Sequence, residues 1–293
     1  MGELRLAQAT MTRALGNASL TMFNGGDFRL DGGAMHGVVP KTIWNKLVSC
    51  DDHNRVTYAT NCLLVEIGGK RVLVETGNGD KFPAKLKDIY GIDHDRSAAA
   101  ALRELGVEPE SIDVVVLTHL HFDHVGGCTR RTASGAVEPV FPRAHHVVQR
   151  VELDASRRAH ERNRASYLPE NIDPLEAAGL FQVVDGETEV APGVTVIPTP
   201  GHSHGHQSVL IDGGAGEKAL FLGDVVPTSV HVPLPWIMGY DLDVEGTLAS
   251  KKRLYTRADA ERWLLLFGHD RHHGAYLARD DRGQPIAGAL IDL

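Results

Sequence analysis

His119-Leu120-His121-Phe122-Asp123-His124 packs three imidazoles and a carboxylate into six positions. A hydrophobic core has little use for such a run, whereas a metal cage does. Ahead of it, Ile112-Asp113-Val114-Val115-Val116-Leu117-Thr118 is a β-branched apolar stretch that predicts a short buried strand. Behind it, Gly126 and Gly127 read as a tight turn leading the chain away. The cluster is therefore expected in a loop at a strand's end, where rigid scaffolds present reactive groups.

Sixteen histidines require that each be weighed alone, because a lone histidine is ordinarily a surface or satisfied core residue. Three further places stand out, each just after an apolar strand. Thr199-Pro200-Gly201-His202-Ser203-His204-Gly205-His206 follows Val194–Pro198, and His202 is its best candidate ligand. His206 is expected to support a ligand and His204 to face solvent. Phe221-Leu222-Gly223-Asp224 and Phe267-Gly268-His269-Asp270 have the same form. Five imidazoles and two carboxylates exceed the needs of one tetrahedral zinc and suit two ions sharing a bridge.

In an extended loop His119 and His121 can face one ion, with Asp123 and His124 turned toward a second. Asp224, having two oxygens, can bridge. Ions ~3.5–4 Å apart would hold a hydroxide between them. Nitrogen and oxygen donors without thiolates favour zinc, with manganese, iron or cobalt as alternatives.

The 293 residues suffice for a large core, and no linker, repeat or low-complexity tract divides them, so 1–293 reads as a single domain. A net charge of −8 argues against nucleic acid as a partner, since phosphate binding needs a basic face. Cys50, Cys62 and Cys128 are odd in number and lack CxxC spacing, so they read as reduced thiols in a cytoplasmic protein, Cys128 as a packing residue. Met1–Leu6 lacks the apolar stretch of a secretory signal, and no segment approaches 18 apolar residues, so no membrane association is expected.

Strands are expected through 18–75, including a hairpin of Asn61–Ile67 and Lys70–Glu75 around Gly68-Gly69. Helices are expected at 80–90, 96–105, about 151–163 and 243–257. On the last, Val244, Leu248, Lys251 and Tyr255 share one face, with Lys251 snorkelling to water. Further strands are expected at Ala144–Gln149, Phe181–Val184, Val194–Pro198, Gln207–Asp212, Lys218–Leu222 and Trp263–Phe267. This alternation suits a layered α/β architecture.

These motifs resemble the metallo-β-lactamase superfamily across residues ~18–280. Its HxHxDH motif stands here as His119, His121, Asp123 and His124, and its later ligands match His202, Asp224 and His269 in order. The resemblance implies a four-layer αβ/βα sandwich with two metals at one edge between the sheets. It places His119, His121 and His202 on one ion, Asp123, His124 and His269 on the other, and Asp224 between them. Phe267-Gly268-His269-Asp270 and the 201–208 loop look most like the N-acyl homoserine lactonases. Residues 30–41 are similar to the YtnP-like quorum-quenching lactonases, with methyl parathion hydrolases as neighbours. In relatives, N-terminal segments such as 1–45 contribute to a homodimer or to pocket walls.

The resemblance implies that a bridging hydroxide opens a lactone ring, with Asp224 bridging and Asp123 returning a proton to the leaving group. The family's Asp-Thr-Gly is here Glu75-Thr76-Gly77, which suggests that Glu75 supports a ligand. Where some lactonases carry a substrate-contacting tyrosine, three residues past the bridge, this chain has Pro227; Tyr240 and His231 are the candidate substitutes. Met35, Trp236, Met238 and Tyr240 are candidate substrate contacts, and Val232–Met238 either lines an acyl pocket or packs. The alternatives are phosphotriester hydrolysis, glyoxalase II-like thioester hydrolysis with Lys251, Lys252 and Arg253 as a weak basic patch, and, outside the hydrolases, a single-iron persulfide dioxygenase.

Overall fold

The computed structural model describes residues 12–92 and 96–293. The stretch Met1–Leu6, read above for a secretory signal, lies outside the described residues. Among the described residues there are two seven-stranded sheets and one small ribbon. The first sheet runs, in spatial order, β1 (Thr12–Leu15), β2 (Ala18–Asp31), β3 (Arg55–Ile67), β4 (Lys70–Val74), β5 (Val114–Val116), β8 (His145–Gln149) and β9 (Phe181–Val184). The ribbon is β6 (Thr129–Arg131) with β7 (Val137–Pro139). The second sheet takes β10 (Thr188–Ala191), β11 (Val194–Pro198), β12 (Gln207–Asp212), β13 (Lys218–Phe221), β14 (Leu264–Leu266), β15 (Gly274–Arg279) and β16 (Pro285–Ile291) in sequence order.

Period-two alternation decides the layers. Val114 and Val116 point between the sheets, where Val209, Phe221 and Leu264 meet them. Val115 and Leu117 point the other way, onto α4 (Ala98–Glu104), α6 (Arg150–Arg157) and α7 (Pro169–Ala177), through Leu102, Leu153 and Leu175. On the second sheet Leu220 and Leu265 face outward onto α8 (Val244–Glu261), where Leu254 and Tyr255 lie. The result is the four-layer αβ/βα sandwich that the family resemblance implies.

Short helices complete the chain: α1 (Gly32–His36), α2 (Lys41–Trp44), α3 (Ala84–Tyr90) and α5 (Phe122–Val125). Among the described residues no helix is long and apolar enough to cross a membrane.

Several expectations need correction. The helix expected over 151–163 stops at Arg157, and α7, β10, β15 and β16, with β1 and the small ribbon, fall where no element is expected. Pro174 lies inside α7, and its residue type argues against a helix on sequence grounds. Gly126 opens the expected tight turn, a 3-10 helix over Gly126–Cys128, with φ at −57° in the right-handed region rather than the left-handed one that favours glycine. It and Gly127 serve close approach, since a Cβ on Gly127 would fall 2.1 Å from Thr76 O. Lys251 does not snorkel. Its Nζ is buried and donates to the carbonyls of His231 (2.7 Å), Pro233 (2.8 Å) and Trp236 (3.0 Å). The face α8 buries is Thr247, Ser250, Lys251, Leu254, Tyr255 and Ala258, while Val244 is exposed.

Candidate metal centre

Four strand ends and one short helix converge at a single edge of the sandwich. The chain leaves β5 to present His119 and His121, and α5 then turns Asp123 and His124 inward. The ends of β11, β13 and β14 present His202, Asp224 and His269. Functional groups collect at the carboxyl ends of strands because connecting loops there need not pack as core.

All seven residues singled out by sequence come together. His119, His121 and His202 form one group, and Asp123, His124, Asp224 and His269 another; within each, the donor atoms lie within 4.8 Å of one another. Asp224 spans both: Oδ2 is 3.3 Å from His202 Nε2, and Oδ1 is 3.0 Å from His269 Nε2. All seven are buried.

Three of the five imidazoles are oriented through the far nitrogen. His124 Nδ1 donates to Glu75 Oε2 at 2.8 Å, His202 Nδ1 to Asp241 Oδ1 at 2.9 Å, and His269 Nδ1 to Ala59 O at 2.8 Å. In each case Nε2 is left facing the shared space. Nε2 of both His119 and His121 is buried without a hydrogen-bond partner among the described residues. Buried polar atoms are rarely left this way, so the donor set fits metal ions.

Electrostatics agree with that fit. Burial, reinforced by neighbouring imidazoles, pushes His119 and His121 well below the usual histidine range, so they are neutral donors. Burial alone would raise Asp224, but His269, His124 and His202 beside it outweigh that and hold it well down.

Glu75, expected to support a ligand, hydrogen-bonds His124, and its φ of 66° is left-handed, an unfavourable setting for a glutamate. That conformation turns Oε2 to His124 while Oε1 accepts from Thr118 N at 2.6 Å. His206 is buried, with Nε2 accepting from Asp224 N at 2.9 Å, and His204 is exposed. Sequence reasoning missed Asp241, which lies 39 residues from His202 in an irregular stretch without a motif.

A cleft of about 110 Å³ opens over the metal-binding edge. Its apolar wall includes Phe28, Leu30, Met35, Met238 and Leu242, and its polar lining beyond the metal-site residues includes Tyr90, Arg162, Asn163, Ser166 and Tyr240. Three of the four candidate substrate contacts therefore border it. Trp236 does not. It stands behind the wall, edge-on to His36 at 5.9 Å. His231 is also removed from the cleft, buried with Nε2 against Met35 O and Nδ1 against Thr228 Oγ1. Pro227 supports the centre differently, its carbonyl accepting from His269 N at 2.9 Å.

Comparison with known proteins places this arrangement. Residues 55–269 match the metallo-beta-lactamase superfamily. An N-acyl homoserine lactonase of a Bacillus species is 33% identical over 171 residues, 58% of this chain and 60% of that protein. The N-acyl homoserine lactonase of Bacillus cereus is 29% identical over 221 residues, 71% of this chain and 80% of its own length. The match thus spans less than two thirds of the first relative. Among solved structures, a probable metal-dependent hydrolase from Staphylococcus aureus superposes with a TM-score of 0.86 at 29% identity, covering 96% of this chain and 99% of that one.

Proposed function

This chain belongs to the metallo-beta-lactamase superfamily, and we propose that it is a dinuclear metal-dependent hydrolase that opens N-acyl homoserine lactones or similar lactones. The observation that carries this reading is the pair of buried donor groups sharing Asp224, which directs one oxygen to each. His119, His121 and His202 would hold one ion, and Asp123, His124 and His269 the second. Two divalent ions, zinc by the nitrogen and oxygen donor set, supply Lewis acidity toward an ester carbonyl and a water acidified to a pKa of about 7.

The chain's own groups do the rest. Met35, Met238 and Leu242 offer an acyl chain an apolar wall that excludes water from one side of the scissile bond. Tyr240 lies on the same lining and is the phenol placed to donate to a substrate carbonyl. Asp123 borders the cleft, where its carboxylate can take up a proton and return it to the departing ring oxygen. The relatives named N-acyl homoserine lactonases support the substrate class. Lys251 lies inside the protein, so the basic patch that a glutathione thioester would need loses its first member.

Elemental analysis of the purified protein, with parallel assays of a long-chain acyl homoserine lactone, a phosphotriester and a hydroxyacyl-glutathione, tests the reading. Two ions per chain and fastest turnover of the lactone are expected. A single iron without hydrolysis, or faster turnover of another substrate, would overturn it.

A further inference from the structure

Glu152 lies in the first turn of the charged helix α6, yet it is fully buried. Its Oε1 accepts from Leu120 N at 3.0 Å and from the Tyr167 hydroxyl at 2.9 Å. Its Oε2 accepts from Ser203 Oγ at 2.6 Å and from Gly205 N at 3.3 Å. Leu120 stands between His119 and His121, and Ser203 follows His202. One carboxylate thereby ties together the two chain segments that supply the first donor group.

Two details strengthen the tie. Tyr167, bonded to Oε1, packs edge-on against His121 with ring centroids 4.8 Å apart. Gly205 is required for the approach, because a Cβ there would fall 2.2 Å from Glu152 N. The imidazoles of the second group are oriented by other partners, His124 by Glu75 and His269 by Ala59 O.

We propose that Glu152 is a positioning residue for the first metal position, setting its occupancy and leaving the second unaffected. This rests on the dinuclear reading above. Burying a carboxylate is costly, and here four donors offset the cost. A glutamine of the same shape can accept through only one of its two terminal atoms. Its NH2 would confront two of the four donors, and the two segments would lose their common anchor.

The test challenges zinc-loaded Glu152→Gln with graded chelator and counts zinc retained per chain, with circular dichroism reporting the fold. Glu152→Gln is expected to lose one of two ions at about 10–100-fold lower chelator, the usual reach of such supporting groups. Added to His202→Ala, which has already lost the first position, Glu152→Gln should leave retention of the remaining ion unchanged. A general structural role would weaken both ions, and that result, or unchanged retention of both, overturns the inference. Ser203→Ala removes a single bond and covers the case of a poorly folded Glu152→Gln, with a several-fold weakening of the same ion expected and no weakening counting against the inference. A wild-type chain holding one ion would overturn the dinuclear reading and this inference together, whereas a two-ion wild type with an indifferent Glu152→Gln overturns this inference alone.

Discussion

Asp241 Oδ1 accepts from His202 Nδ1 at 2.9 Å while its other oxygen accepts the Thr247 hydroxyl at 2.6 Å. A carboxylate fixed at both oxygens locks one imidazole tautomer and orientation. The same segment carries Met238 and Tyr240 into the cleft wall, so ligand geometry and pocket shape share one piece of chain. Asp241→Asn should weaken metal binding by about 10–100-fold with the fold retained. Calorimetric titration of zinc checks this, and wild-type affinity would refute the role.

Lys251 is a buried structural donor. Replacing it with methionine keeps the stem but strands the carbonyls of His231, Pro233 and Trp236. At about 1 kcal/mol for each lost bond, Lys251→Met should cost roughly 3 kcal/mol. Denaturant unfolding measures it, and a loss under 1 kcal/mol would show that the loop finds other donors.

Gly127→Ala should be destabilising by about 3 kcal/mol or more, because the new methyl meets a backbone oxygen that cannot rotate away. Equilibrium unfolding tests it. A neutral effect would mean that the loop holding Thr76 can shift.

The cleft wall should set acyl-chain preference. Met238→Trp fills space beside Met35, so KM should rise for long-chain lactones and stay near wild type for short ones. Equal changes for every chain length would place the acyl group elsewhere.

Acid should destabilise the metal-free protein from about pH 6.5 downward. Burial first of all pushes His206 and His231 to about 3 and His146 to about 4. In the unfolded chain each titrates near 6.5. Below that pH the unfolded state binds protons that the folded state does not, so stability falls, by up to about 1.4 kcal/mol per pH unit for each group. The raised His124, His202 and His269 act with the opposite sign, but their contribution is complete once pH falls below 6.5. Urea melts between pH 7 and 4.5 should show the decline, and a flat profile would contradict it.

Strands were legible wherever apolar residues alternated between two buried faces, and β9, β11 and β12 fall on the expected residues. Where tertiary context overrode local signal, as at Pro174 inside α7, the reading failed. The metal-binding edge was legible because its donors follow strand ends within short motifs. Glu152 and Asp241 were not, since an isolated acidic residue looks the same in sequence whether solvated or buried against a ligand loop. Lys251 reads as a snorkelling lysine for the same reason.

The sequence by itself determined the layered fold and the seven donor residues, because alternation and strand-end spacing are local properties of the chain. Only the tertiary structure decided which carboxylates orient them, which glycines allow close approach, and that Trp236 and His231 stand away from the cleft. Those facts depend on contacts between distant segments, such as His202 with Asp241, 39 residues apart, and Met35 with His231, 196 apart, and burial there is set by the packed layers.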